Sequence, residues 1–151
     1  MTSLFETVAA FFRDDDWPIQ MLEGTTGLRT AFQGESGQWI CQAWVREQAE
    51  QFIFYSVCPI TAPEERRAAV AEFITRANYG MLVGNFEMDY TDGEVRYKTS
   101  VDVEGSQLSQ ALCRQIVVAN VMMMDRYLPG ILSVVSNAQT PAQAIANIEG
   151  H

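Results

Sequence analysis

The chain has 151 residues, of which 48% are hydrophobic and 19% are charged, so it has enough apolar side chains for one core. Its 19 acidic and 10 basic residues give a formal net charge of -9, and such a surface repels phosphate backbones and anionic lipid headgroups. We therefore predict a single domain over residues 1–151 and expect neither nucleic acid nor a membrane surface as its partner.

Cysteine usage and the amino terminus predict a cytoplasmic protein. Cys41, Cys58 and Cys113 form no CxxC pair and are too few for a disulfide-stapled secreted domain. The first six residues lack the basic region and the long apolar stretch of a signal peptide. The longest apolar run, 116–124, is shorter than the about 20 residues that a membrane-spanning helix needs.

A first helix is predicted over 3–13, with Ser3 as its N-cap and Glu6 as the capping-box partner. The acidic run 14–16 then ends it, because carboxylates are unfavourable at the negative end of a helix dipole. Four apolar residues at helical spacing form its predicted buried stripe: Leu4, Val8, Phe11 and Phe12.

Alternation with a period of two predicts four strands, 17–23, 27–34, 38–46 and 51–58, in an antiparallel meander. The last two strands carry apolar residues on both faces, which predicts that a helix or another chain covers the second face. The expected register places Val45 opposite Phe52, Ala43 opposite Phe54, Trp44 opposite Ile53 and Ile40 opposite Val57.

A second helix is predicted over 61–79, with Thr61 as N-cap and Glu64 closing a capping box. Its predicted buried stripe consists of Val70, Phe73, Ile74 and Ala77.

Strands at 81–90 and 94–103 follow, joined by Asp92-Gly93 as a two-residue type I′ turn. This register gives one apolar face and one face of opposite charges. It pairs Tyr90 with Val95, Met88 with Tyr97, Phe86 with Thr99, Asp89 with Arg96 and Glu87 with Lys98.

A long helix is predicted over 106–135 with a bend at Pro129-Gly130, and Thr140-Pro141 opens a short closing helix. Residues 116–124 are apolar nearly all round the helix, so it needs cover on more than one side, and a second copy of the chain is the expected cover. The fold class is therefore α+β, an antiparallel sheet with helices packed on it, in the order α-β-β-β(-β)-α-β-β-α.

Candidate catalytic groups are scarce. The single histidine is His151, the last residue, which excludes Ser-His-Asp, Cys-His and histidine-metal arrangements. The glycines at 80–84 match neither a P-loop nor a GxGxxG motif. The carboxylates at 14–16 and at Glu87 and Asp89 are interpreted as a helix end and as surface charge pairs, so we predict no catalytic site, no cofactor and no metal.

Two groups of residues are candidate partner or dimer contacts. Methionine side chains adapt to varied surfaces, and aromatic side chains anchor interfaces. Packing in the core or between two subunits is the simpler explanation of the methionines, and the aromatic residues have the same two interpretations. The candidates are Met122, Met123 and Met124 on the long helix, and Trp39, Trp44 and Tyr55 on the central hairpin.

The stretch from Arg76 to Tyr90, continued by Asp92 to Lys98, resembles the signature of YbjN-domain proteins, most closely their cyanobacterial members. The match is sharp from Arg76 to Glu104. The resemblance implies a fold similar to type III secretion chaperones, in which helices pack on an antiparallel sheet and two subunits commonly pair. The family is described as sensory-transduction regulators, and it carries no catalytic motif onto these residues.

The leading hypothesis is a homodimeric, non-catalytic protein-binding module, chaperone-like or adaptor-like. The first alternative is a regulatory domain that binds a small ligand between helix and sheet. An enzyme that uses carboxylates alone is the remaining alternative.

Overall fold

The computed structural model describes residues 2–150 as one six-stranded antiparallel sheet and four α-helices. The strands lie in the order β1-β2-β3-β4-β6-β5. The helices are α1 (Leu4–Asp14), α2 (Arg67–Asn78), α3 (Gln110–Val135) and α4 (Pro141–Glu149). The strands are β1 (Gln20–Leu22), β2 (Gly27–Gln33), β3 (Gln38–Arg46), β4 (Gln51–Val57), β5 (Asn85–Met88) and β6 (Val95–Asp102).

The four helices pack on the same face of the sheet. In α1 the ring of Phe12 stacks on Phe54 of β4 with 5.8 Å between centroids. The amide of Asn120 in α3 donates to the carbonyls of Phe54 at 2.9 Å and Tyr97 at 3.0 Å. Helices α2 and α4 pack against α3 and against each other on that side. This arrangement confirms the predicted fold class.

The predicted register of the central hairpin is confirmed: Val45 lies opposite Phe52, and Trp44 lies opposite Ile53. Val45 and Phe52 are buried beneath the helices, whereas Trp44 and Ile53 are partly exposed. A helix over the second face, one of the two expected covers, is therefore wrong for residues 2–150. Cover by another chain stays a prediction.

The predicted register of the second hairpin is wrong by two residues. Met88 pairs with Val95 and Phe86 pairs with Tyr97, so a loop rather than a two-residue turn joins β5 to β6. Gly93 is required by a tertiary contact: its φ is 81°, and a Cβ there would collide with the backbone of Ala62, whose amide donates to the Gly93 carbonyl. A shift of two residues preserves the faces, so the apolar and charged sides remain as predicted.

Three predicted element starts also move. A 3₁₀ turn at Glu64–Arg66 precedes α2, and Pro63 is its N-cap, so the Thr61 capping box is wrong. The cause is the contact between Ala62 and Gly93, which holds this segment extended. Helix α3 begins after Ser109 and runs on through Pro129. β1 is shorter than the predicted strand 17–23 and covers only Gln20–Leu22. The predicted buried stripe of α2 is confirmed at all four positions, Val70, Phe73, Ile74 and Ala77.

Candidate binding face

One face of the sheet carries no packed helix, and we call it the open sheet face. Strand alternation places on it every second side chain of β2, β3, β4, β5 and β6. The side chains that define it are Arg29, Ala31 and Gln33 of β2; Gln38, Ile40, Gln42, Trp44 and Arg46 of β3; Gln51, Ile53, Tyr55 and Val57 of β4; Asn85 and Glu87 of β5; and Arg96, Lys98, Ser100 and Asp102 of β6.

Apolar side chains form two rows across the open sheet face. In the first row Ala31, Ile40 and Val57 lie side by side on β2, β3 and β4 and line a shallow depression. In the second row Trp44 lies beside Ile53. All of these side chains are partly exposed in the single chain. Partly exposed apolar rows across several strands are typical of a surface that meets a partner.

Trp44 is held flat on the sheet. A Cβ at Gly27, its neighbour on β2, would lie 2.5 Å from the indole ring, so the ring covers that glycine. The indole nitrogen donates to Oε1 of Gln42 at 3.3 Å. Fixing an aromatic side chain before binding lowers the entropic cost of using it as an anchor.

Tyr55 lies between the two apolar rows, in a charged setting. The Arg96 guanidinium sits 4.0 Å above the Tyr55 ring. Glu87 accepts from Arg96 at 2.6 Å and from Lys98 at 3.2 Å. Burial by itself would raise the pKa of Glu87, but the hydrogen bonds from Arg96 and Lys98 outweigh it and hold that pKa below its usual value.

Charge is distributed unevenly over the molecule. The open sheet face carries four cationic side chains, Arg29, Arg46, Arg96 and Lys98, and two carboxylates, Glu87 and Asp102. Over these strand positions the formal charge is plus two, in a chain whose total is -9. The remainder of the chain consequently carries minus eleven. Asp89 and Glu94, just outside β5 and β6, also lie beside Arg96, so the unbalanced cations are Arg29 and Arg46 at the Trp44 end of the face.

The six candidate contact residues lie in three different places. Trp39 is buried and donates to Ser56 at 2.9 Å, and Met124 is fully buried, so the core of the chain accounts for both. Trp44 and Tyr55 lie on the open sheet face. Met122 on α3 is 54% exposed, and Met123 beside it is partly exposed.

A second exposed apolar surface runs along α3. We call it the outer stripe of α3 and define it by its exposed residues at helical spacing: Ala111, Val118, Met122, Pro129 and Leu132. It lies on the opposite side of the molecule from the open sheet face, because α3 packs on the covered face.

Sequence reasoning missed the contact that ties α3 to the sheet. The Asp125 carboxylate accepts from the backbone amides of Glu35 at 3.0 Å and Ser36 at 2.8 Å, and from the Ser36 hydroxyl at 2.6 Å. Burial opposes ionisation of Asp125, but these hydrogen bonds prevail and lower its pKa. A local sequence pattern cannot predict this contact, because Asp125 is far from Glu35 and Ser36 in the chain.

Sequence reasoning also missed the protection of one sheet edge. The side chain of Asn78, the last residue of α2, accepts from the Phe86 amide at 2.7 Å and donates to the Phe86 carbonyl at 3.0 Å. These backbone groups point away from β6, at the edge where a further strand would pair. Asn78 therefore occupies the position of an added strand.

The titratable groups show no catalytic arrangement in the part of the chain that the structure describes. Burial raises the pKa of the Cys41 thiol to about 12 and that of Cys58 to about 11, which makes both unreactive. Asp15 of the triple aspartate accepts from Trp17 at 2.9 Å and from Arg114 at 2.6 Å, as a structural group. His151 lies outside the described residues.

Within residues 2–150, no helix is long and apolar enough to span a bilayer, and no three His, Cys, Asp or Glu residues lie together as possible metal ligands.

Helices on one face of an antiparallel sheet, with the other face open, define the class of fold seen in type III secretion chaperones. Residues 5–133 match the YbjN family, described as "Putative bacterial sensory transduction regulator". The chain therefore belongs to the YbjN family, as its resemblance at 76–104 predicted.

Solved structures of similar fold agree with this assignment. YbjN from E. coli, "a putative transcription regulator", superposes with a TM-score of 0.62 at 9% identity, covering 83% of this chain and 88% of that one. The ExsC-ExsE complex gives a TM-score of 0.53 at 11% identity, covering 83% of this chain and 92% of the matched chain. At these identities the likeness concerns the fold. No curated protein matches the sequence.

Proposed function

We propose that this protein is a non-catalytic, homodimeric protein-binding module, an adaptor or chaperone-like regulator, which holds its partner on the open sheet face. The observation that carries the proposal is the pair of apolar rows around Trp44 and Tyr55, left partly exposed while all four helices pack on the other face. The family description as a regulator and the two-protein ExsC-ExsE complex support it. Membership of the cyanobacterial type and a cytoplasmic location stay predictions.

The shape of the surface favours a protein over a small ligand. The interior between α3 and the sheet is filled by fully buried side chains, among them Phe54, Tyr97 and Val117. The open sheet face is broad and crosses five strands, β2 to β6. Extended surfaces with aromatic anchors suit protein segments, whereas small ligands prefer enclosed pockets.

The outer stripe of α3 supports the homodimer. If two α3 helices pack antiparallel about a two-fold axis between Asp125 and Arg126, Met122 of one copy meets Pro129 of the other, and Val118 lies within one residue of the level of Leu132. The same axis brings Asp125 of one copy beside Arg126 of the other.

Light scattering tests the homodimer and is expected to give twice the chain mass. Met122→Asp places a charge in the outer stripe of α3 and is expected to give monomers. A wild-type protein that is monomeric at micromolar concentration would contradict the dimer.

The binding proposal is tested by affinity capture from lysate of the source organism, followed by quantitative mass spectrometry. A stoichiometric partner that is lost with Trp44→Ala and retained with Leu82→Ala is the expected result. Leu82 is the matched control because it is a large apolar residue, 97% exposed, away from the open sheet face. A partner lost with Leu82→Ala and retained with Trp44→Ala would place binding elsewhere.

The small-ligand alternative makes a different prediction. A metabolite that binds the native state raises the melting temperature by mass action. A thermal-shift screen that finds such a metabolite, together with capture of no stoichiometric protein, would replace the protein-binding proposal.

A further inference from the structure

We infer that the partner segment held on the open sheet face is acidic as well as apolar. The inference rests on the proposed function and adds the chemistry of the partner. It starts from the Trp44 end of this face, where Arg29 and Arg46 are exposed cations in a chain whose net charge is -9.

The cations surround the aromatic anchor. On this face the neighbours of Trp44 along β3 are Gln42 on one side and Arg46 on the other. Arg29 of β2 pairs with Gln42, so an arginine lies on each side of Trp44. Both arginine side chains are exposed. A segment whose apolar side chain meets Trp44 therefore passes between two guanidinium groups, which bind carboxylates in a bidentate manner.

The third arginine is already oriented. Arg96 is held over Tyr55 by its ring contact and by its ion pair with Glu87. Asp89 and Glu94 also lie beside it, so its charge is already balanced and the acidic residues of the partner are expected at Arg29 and Arg46.

The same charges argue against a second copy seated face to face. Two open sheet faces brought together about an axis at Trp44 would bring Arg29 and Arg46 of both copies into one partly desolvated interface, which like-charge repulsion disfavours. Arg29 and Arg46 would repel a basic peptide at this face. The net negative charge of the whole chain would repel the phosphates of a nucleic acid.

The test uses an unbiased library of random peptides displayed on phage, selected separately on three purified proteins. These are the wild-type protein, Arg29→Glu/Arg46→Glu, and the control Arg13→Glu/Arg76→Glu, which changes charge by the same amount on exposed helix positions. Circular dichroism establishes that each variant is folded. Peptides from the wild-type selection are then synthesised and their affinities measured for all three proteins and for Trp44→Ala.

The expected wild-type pool is enriched in Asp and Glu together with apolar residues, relative to the unselected library. Its peptides should bind Arg29→Glu/Arg46→Glu about tenfold more weakly or worse, and the helix control with little change. Affinity should fall as salt concentration rises.

Two results separate failure of this inference from failure of the proposed function. A pool without acidic enrichment that still depends on Trp44 overturns the acidic partner and leaves the binding face in place. A pool that binds Trp44→Ala as well as wild type, or no enriched pool at all, contradicts both.

Discussion

The two faces of the sheet are built from similar apolar side chains, yet only one is covered by helices. The covered face contains Phe52 and Phe54, both fully buried, and its polar groups are uncharged. The open sheet face contains Trp44 and Ile53 along with four cationic side chains. Because burying a charge costs far more than burying a hydroxyl or an amide, charge decides which face the helices take.

The largest difference between the faces is expected in stability. Phe54→Ala leaves a cavity beneath Phe12 and should lower the free energy of unfolding by about 3–5 kcal/mol. Ile53→Ala, on the neighbouring residue but the opposite face, should cost about 1 kcal/mol because its side chain is partly exposed. Urea unfolding followed by circular dichroism measures both, and equal losses would mean that the open sheet face is covered in solution.

A smaller effect is expected from the contact that holds α3 on the covered face. Asp125→Ala removes a carboxylate that accepts from Glu35 and Ser36, and should cost about 1–3 kcal/mol. Since the folded-state pKa of Asp125 is lowered, its contribution is present above the ordinary aspartate pKa of 3.8 and is lost as pH falls through the folded value.

The check is denaturant unfolding of wild type and Asp125→Ala at neutral pH and again near pH 3. The gap between them should narrow at the lower pH. A gap of constant size would show that Asp125 acts through packing and not through its charge.

The protected edge of the sheet predicts a loss of similar or smaller size, with a distinct signature. Asn78→Ala removes two hydrogen bonds to Phe86 and should cost about 1–2 kcal/mol. It also exposes an unpaired strand edge, so we expect association that grows with protein concentration. Sedimentation velocity measures this, with Thr75→Ala at an exposed position of α2 as the control. Asn85 is not suitable as a control because its amide also donates to the Phe86 carbonyl, at 3.1 Å. Unchanged sedimentation would mean that other groups protect the edge.

The smallest effect is expected on the open sheet face itself. Glu87→Gln weakens its ion pairs with Arg96 and Lys98, and such partly exposed pairs contribute less than about 1 kcal/mol. The folded-state pKa of Glu87 is lowered from 4.5, so even this contribution is lost as pH falls below that value. If unfolding of Glu87→Gln differs from wild type by several kcal/mol, the cluster is part of the core and not of a binding surface.

The reach of the sequence is clearest in the two hairpins. The register between β3 and β4 follows from alternation and a short polar turn, both local, and it is confirmed. The register between β5 and β6 depends on Gly93, whose conformation is set by its contact with Ala62, far from it in the sequence. The preference of Asp-Gly for two-residue turns is a local rule, and it therefore predicted the wrong loop. The assignment of side chains to the two faces is still correct, because the register error was two residues and side chains alternate with a period of two.

The candidate site was predictable to a similar degree. Alternation places Trp44 on one face and Trp39 on the other, but composition could not say which face the helices cover. The apolar middle of α3 predicted that this helix needs cover on more than one side, and Met122 is 54% exposed in the single chain, whereas the burial of Met124 required its packing to be known. The placement of Arg29 and Arg46 on either side of Trp44 depends on the pairing of β2 with β3, which no turn motif specified.

The three tryptophans provide the most direct test, because each indole N–H reports on a different place. Trp17 donates to Asp15 beside α1, Trp39 donates to Ser56 in the core, and Trp44 donates to Gln42 on the open sheet face. In a ¹H–¹⁵N spectrum titrated with a peptide selected on the wild-type protein, the Trp44 indole signal should shift while those of Trp17 and Trp39 stay in place. Saturable binding that leaves the Trp44 signal unmoved would contradict the open sheet face as the site of partner binding.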